Sequence, residues 1–265
     1  MSEYNDFKNK NSYLTFWHDP KKINKNNSMF LLEIYDASPN LILYDKVYTW
    51  NSKLRNILIS KGINAILING FPLFDNNNWL DKFISIKEKE GICLICNHRL
   101  EDSPSITSNR ASVFMGLVNI KKDCYGKIPY CNEFYKGIIG DPNKPYETYP
   151  SSLEKLKMLN KYKFNLCFEN CYHELWSWDY ITEKIIDCFK AKTIPVYWGC
   201  YNIEYHIPKE LFIDYRDFRC VDDLSEYLYN FSDEEYRFMT EAAYAFVKQF
   251  RWGNIEDLQQ IIDGN

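Results

Sequence analysis

KFNLCFENCYHELWSWDYITEKIIDCFKAKTIPVYWG, residues 163–199, decides the fold. A short apolar run, KFNLCF, stops at Glu169 and Asn170; the amphipathic segment DYITEKIIDCFKA follows; a second apolar run, TIPVYWG, closes the unit. Short apolar runs flanking a segment of helical period read as a strand, helix, strand unit. In the helical segment Ile181, Ile185 and Cys188 make the buried stripe, and Tyr180 to Lys184 are expected in the first turn. Ligands of open α/β sheets collect at the carboxyl ends of strands, where helix amino ends offer free N–H groups and partial positive charge. Asn170 lies just past such an end. Lys184 would add a full charge to a phosphate held there. Glu183 cannot serve that phosphate and suits vicinal sugar hydroxyls instead. Spacing alone leaves a second reading open, because the helix dipole favours Glu in any first turn and an adjacent Lys is commonly just solvated.

The same alternation recurs upstream. MFLLEI, YDKVYTW, NSKLRNILISKG and INAILING read as strand, strand, helix closed by Gly62, and strand. NWLDKFISIKEKE sets Trp79, Phe83 and Ile86 on one helical face, and GICLIC is a buried strand. After a turn at Pro104, SITSNRASVFMGLVN reads as a helix with Arg110 in its first turn, and Lys121 to Pro150 reads mainly as loop. Ser151 and Glu154, and again Ser232 and Glu235, have capping-box spacing, the latter before a last helix reaching about Phe250. The pattern is α/β, with expected units at 1–88 and 89–240 and a C-terminal helical tail at 241–265.

The 265 residues carry a net charge of only −4, with Lys and Arg scattered among Asp and Glu. A nucleic-acid partner is not expected, since the basic stripe it requires is missing. The 21 Tyr and 17 Phe serve the core first, although Tyr and Trp also suit the walls of sugar and nucleotide pockets. The cysteines are nine, an odd number, and sit in apolar runs, as in a reduced intracellular chain. No stretch reaches the roughly 18 apolar residues of a membrane helix, and the first residues do not form a signal peptide. A protein without a transmembrane segment, cytoplasmic and soluble or loosely membrane-associated, is expected. Cys93 and Cys96, with His98 nearby, have metal-ligand spacing, but residues three apart on a strand face opposite ways, so no metal site is expected.

The runs KFNLCFEN, DYITEKIID, TIPVYWG and FIDYRDF resemble the donor-binding signature of the alpha-1,3/1,4-fucosyltransferases, especially bacterial members. The resemblance is dense from Lys163 to Phe218 and thinner from Arg110 through CYGK at 124–127. It implies a GT-B-like fold of two Rossmann-like domains facing a cleft, here with a shortened N-terminal, acceptor-side domain. It also implies a GDP-fucose donor, a glycan acceptor, and inverting transfer with no metal or other cofactor. The family's phosphate-contacting Arg falls on Arg110, its Asn on Asn170, its Tyr on Tyr180, its ribose-binding Glu on Glu183 and its phosphate-binding Lys on Lys184.

Inverting displacement needs a base for the acceptor hydroxyl and positive groups for the departing diphosphate. The sequence has no Asp-x-Asp triplet of the kind that holds a divalent ion on a nucleotide sugar, in keeping with metal-free departure. The expected base is Glu33, which closes MFLLEI at a strand end, in a segment, LLEIYDASPNL, that loosely resembles the family's acidic one. Asp36 is the near rival and Asp19 a weaker one.

The chain departs from the family between Asn170 and Tyr180, where CYHELWSWD is about four residues longer than usual. A reshaped loop over the donor is therefore expected. Trp176 and Trp178 in it either stack on sugar or seal the core beneath, and His173, His206 and His18 read as solvated. The chain also lacks the heptad repeats and basic amphipathic tail of many bacterial members, so stable membrane anchoring is not expected. Two other readings stay open: a nucleotide-sugar-binding protein without transfer, and a transferase for another nucleotide-linked deoxysugar.

Overall fold

The computed structural model describes residues 7–9, 12–15, 28–31, 39–70, 89–96, 107–126, 132–139 and 153–250. Among these, the strands form two five-stranded sheets. The N-terminal sheet holds β1 (Phe7–Asn9), β2 (Ser12–Thr15), β3 (Ser28–Leu31), β4 (Lys46–Thr49) and β5 (Ala65–Leu67) in chain order. Its first pair is antiparallel and the rest are parallel. Helix α1 (Ser52–Ser60) links β4 to β5. Asn51 caps it by accepting the Leu54 N–H, and Gly62 closes it at φ +78, a conformation glycine adopts without cost. Leu54 and Leu58 lie under α1 in a small core with Leu41, Tyr44, Val47 and Ile63.

The second sheet is parallel throughout. It holds β6 (Ile92–Ile95), β7 (Lys122–Tyr125), β8 (Phe164–Phe168), β9 (Ile194–Trp198) and β10 (Ile213–Asp214) in the order β10-β9-β8-β6-β7. Helices α2 (Thr107–Gly116) and α5 (Val221–Asn230) cover one face, and α3 (Leu153–Leu159), α4 (Glu183–Lys190) and α6 (Asp233–Gln249) the other. All of β8 is buried, as a central parallel strand packed on both faces must be. Its one polar member, Asn165, donates to the Cys93 carbonyl at 3.0 Å.

Most expected elements are present. β7 is a correction: Lys121 to Pro150 begins with a strand, because alternating polar residues at an edge beside β6 carry a weaker pattern than a buried run. Ser232 and Glu235 make the expected capping box, and α6 crosses residue 241 to bury Ala243 and Val247 in the second core. The helix expected over NWLDKFISIKEKE, together with Ser151, His18, Asp19, Glu33 and Asp36, lies outside the described residues. Cys93 and Cys96 enter different cores on opposite sheet faces, as the strand period requires. No helix among the described residues is long and apolar enough to cross a membrane.

This topology creates the site. From β6 the chain moves through α2 to the edge strand β7; from β8 it moves the opposite way, through α4 to β9. The crevice of such a sheet opens where the direction reverses, between the carboxyl ends of β6 and β8.

Candidate functional site at the carboxyl end of β8

Glu169, the residue after β8, has no exposed surface. One carboxylate oxygen accepts the Thr182 N–H at 3.0 Å and both meet the Thr182 hydroxyl, at 2.9 and 2.8 Å. The Lys184 ammonium completes the set at 2.9 Å. On the other side Arg110, buried on α2, donates from Nη2 to the Glu169 carbonyl and, at 2.8 Å, to Oδ1 of Asn170. Arg110 and Lys184, from helices on opposite sheet faces, thus converge on one residue at the switch point. Arg110 Nε is buried and has no acceptor among the described residues.

The helix begins later than the periodicity suggests. Tyr180 and Ile181 precede it; Thr182 is the N-cap, with extended backbone, and Glu183 the first helical residue. A polar side chain that can cap the backbone ends the extended segment here. At the amino end of α4 the Thr182 N–H goes to Glu169 and the Lys184 N–H to the Thr182 hydroxyl. Lys184 keeps a quarter of its side chain exposed.

Charges alternate through the site. Burial works against the Lys184 ammonium, but Glu169 and Glu183 outweigh it and raise its pKa above the usual lysine range. Glu183 is likewise opposed by burial and held below the usual carboxylate range by Lys184 and Lys155. Lys155, from α3, lies 3.8 Å from Glu183 and 2.6 Å from the fully buried Asp187. The sequence reading named Arg110, Asn170, Glu183 and Lys184 but missed Glu169 and Lys155. A carboxylate directly ending a strand with a single polar member was the available signal for Glu169; Lys155 had none, because its partners lie on another helix.

Gly199, at the end of β9, completes the pocket around Glu169. A Cβ there would stand 2.3 Å from Glu169 Cγ, so only glycine lets the carboxylate occupy this position.

Tyr180 is adjacent in sequence but faces elsewhere. It is 2% exposed, and its ring lies 5.0 Å from Trp50 in the N-terminal unit. The long segment 171–179 lies at the same place. Trp176 packs on the core under α1, and Trp178 lies beneath the Lys53 ammonium, 3.7 Å from its ring centre, and beside Tyr201. Both rings pack at the junction between the two sheets. His173 is a local cap, its Nδ1 accepting the Leu175 N–H at 3.1 Å, and His206 meets Asp179 at 2.8 Å.

Comparison with known proteins supplies the relatives. The sequence profile of the glycosyltransferase family 10 (fucosyltransferase) C-terminal domain matches residues 118–261. The alpha-(1,3)-fucosyltransferase FucT of Helicobacter pylori is 39% identical over 74 residues, 28% of this chain and 15% of that protein. Human 4-galactosyl-N-acetylglucosaminide 3-alpha-L-fucosyltransferase 9 is 33% identical over 107 residues, 39% of this chain and 29% of that one. The chain thus spans less than a third of the length of these curated relatives. A crystal structure of an alpha1,3-fucosyltransferase superposes with a TM-score of 0.54 at 18% identity, covering 86% of this chain and 68% of that one. TarM of S. aureus superposes with a TM-score of 0.54 at 12% identity, covering 90% and 51%. At such identities the likeness speaks for the fold, which is GT-B.

Proposed function

Because the chain belongs to glycosyltransferase family 10, the fucosyltransferases, we propose that it moves fucose from GDP-fucose to a hydroxyl of a glycan acceptor, with inversion and without a metal. The carrying observation is the convergence of Arg110 and Lys184 on Glu169 at the switch point of the second sheet, with Asn170 accepting from the same Arg110 nitrogen. The N-terminal unit serves the acceptor and the second unit the donor.

In this reading Lys184 turns from Glu169 to the diphosphate, and Arg110 meets it through the groups not engaged by Glu169 and Asn170. Glu183 accepts hydrogen bonds from ribose hydroxyls. Tyr180, buried against Trp50, holds the turn that presents Thr182 and Glu183. The acceptor oxygen attacks the anomeric carbon as its bond to the diphosphate breaks; the diphosphate leaves with the electron pair, and the acceptor proton passes to a base. Glu33 is assigned that role from the sequence, its position lying outside the described residues.

The test is incubation with GDP-fucose and N-acetyllactosamine, following GDP release and the acceptor's mass. Gain of one deoxyhexose per GDP is expected, and Glu33→Gln should bind GDP yet transfer nothing. GDP binding without turnover would instead indicate a nucleotide-sugar-binding protein, and turnover only with another nucleotide-linked deoxysugar would reassign the donor. Failure to bind GDP at all would overturn the reading.

A further inference from the structure

The segment 171–180 joins the two units, and Asp179 is its centre. Asp179 is 8% exposed and held at φ +61, a left-handed conformation that Asp, Asn and Gly tolerate best. Its Oδ2 accepts both the N–H of Ser52 at 3.0 Å and the Ser52 hydroxyl at 2.6 Å. Its Oδ1 accepts from the Asn202 amide at 2.8 Å and lies 2.8 Å from His206 Nε2. Asn202 in return accepts the Asp179 N–H at 2.8 Å, which fixes the strained backbone.

Ser52 opens α1. That helix has no acidic residue in its own first turn, so the anion that a helix amino end favours arrives from 127 residues away. Neighbouring contacts cross the same junction. The Asn51 amide donates to the Leu175 carbonyl at 2.7 Å, and the Lys53 ammonium to the Glu174 carbonyl at 3.1 Å. One residue beyond Asp179 is Tyr180, against Trp50, and two beyond that is the α4 cap that carries Lys184 and Glu183.

We propose that Asp179 is a positioning residue: its carboxylate holds the amino end of α1, and with it the N-terminal sheet, at a set place relative to the turn leading into the candidate donor site. The docking stands on the contacts alone. Its consequence for turnover rests on the function proposed above, because acceptor and donor must then be brought together across this junction.

The test uses the full chain with Asp179→Asn, which keeps a left-handed residue, and Ser52→Ala, which removes only one hydroxyl. Three quantities are measured: GDP affinity by calorimetry, kcat and acceptor KM for transfer, and amide exchange in residues 52–60. Asp179→Asn should speed exchange in α1 and lower kcat over acceptor KM by roughly tenfold to a hundredfold, the scale of a small misplacement, while GDP affinity holds. Ser52→Ala should do the same to a smaller extent and add little in the double variant. Unchanged exchange in α1 would overturn the docking role, and GDP affinity falling in step with kcat would overturn the positioning role. Should the unmodified chain bind no GDP, the functional reading fails, while exchange in α1 still decides the role of Asp179.

Discussion

The Lys184 ammonium lies 2.9 Å from a carboxylate oxygen of Glu169, a residue with no exposed surface. Removing one member of a buried ion pair costs more than removing both, because the survivor stays desolvated and unpaired. Lys184→Ala should therefore lower unfolding stability by about 3 kcal/mol. The double variant with Glu169→Gln should recover part of that loss, as measured by urea denaturation. Simple additivity of the two substitutions would show the pair to be uncoupled.

Gly199→Ala puts a methyl group 2.3 Å from Glu169 Cγ. Overpacking of this kind costs about 1–3 kcal/mol, and here it must also shift the carboxylate that holds Thr182 and Lys184. A lowered melting temperature together with weakened GDP binding is expected. An unperturbed melt would mean that the pocket relaxes without cost.

Arg110 grips two acceptors with one nitrogen and keeps a buried Nε without an acceptor among the described residues. Lysine offers a point charge and no planar fork. Arg110→Lys should weaken GDP binding by more than about tenfold, the worth of one charged hydrogen bond. Titration calorimetry reads this directly, and equal affinity would take Arg110 out of the anion site.

The acid limb of stability should carry the signature of Asp179. Burial opposes its charge, but His206, Asn202 and Ser52 outweigh it and bring its pKa to about 2. A carboxyl lowered on folding contributes stability that is whole above its unfolded pKa, about 4, and is lost as pH falls toward the folded value. Wild type should thus lose on the order of 2 kcal/mol between those limits that Asp179→Asn does not. Parallel stability curves for the two proteins between pH 4 and about pH 2 would contradict the assignment.

Loss of the Thr182 cap should be felt twice. Thr182→Val removes the hydroxyl that accepts the Lys184 N–H and donates to Glu169. A cap is worth about 1 kcal/mol, and the loss here should exceed that because Glu169 also loses a donor. Chemical denaturation of Thr182→Val beside Thr182→Ser, which keeps the hydroxyl, checks this: Ser should stay near wild type, and equal losses for Val and Ser would show that the hydroxyl is not what stabilises the cap.

Local pattern was sufficient wherever a residue's role depends on its neighbours in the chain. The runs around β8, α4 and β9, the capping box at Ser232, and the opposed faces of Cys93 and Cys96 all follow from periods of two and 3.6. Asn170, Glu183 and Lys184 became candidates through their places at a strand end and a helix start, whereas Arg110 and Tyr180 became candidates through the family resemblance. The edge strand β7 was missed because a half-exposed strand without a long apolar run has little signal of its own.

Sequence by itself determined the α/β alternation and which polar residues lie at strand and helix ends, since both are properties of a short stretch of backbone. Only the tertiary structure decided which of those residues answer one another: Glu169 takes the amino end of α4, and Asp179 serves α1 from 127 residues away. The reason is physical. A buried charge must find partners wherever the fold brings them, and that proximity is set by how sheets and helices pack, not by spacing along the chain.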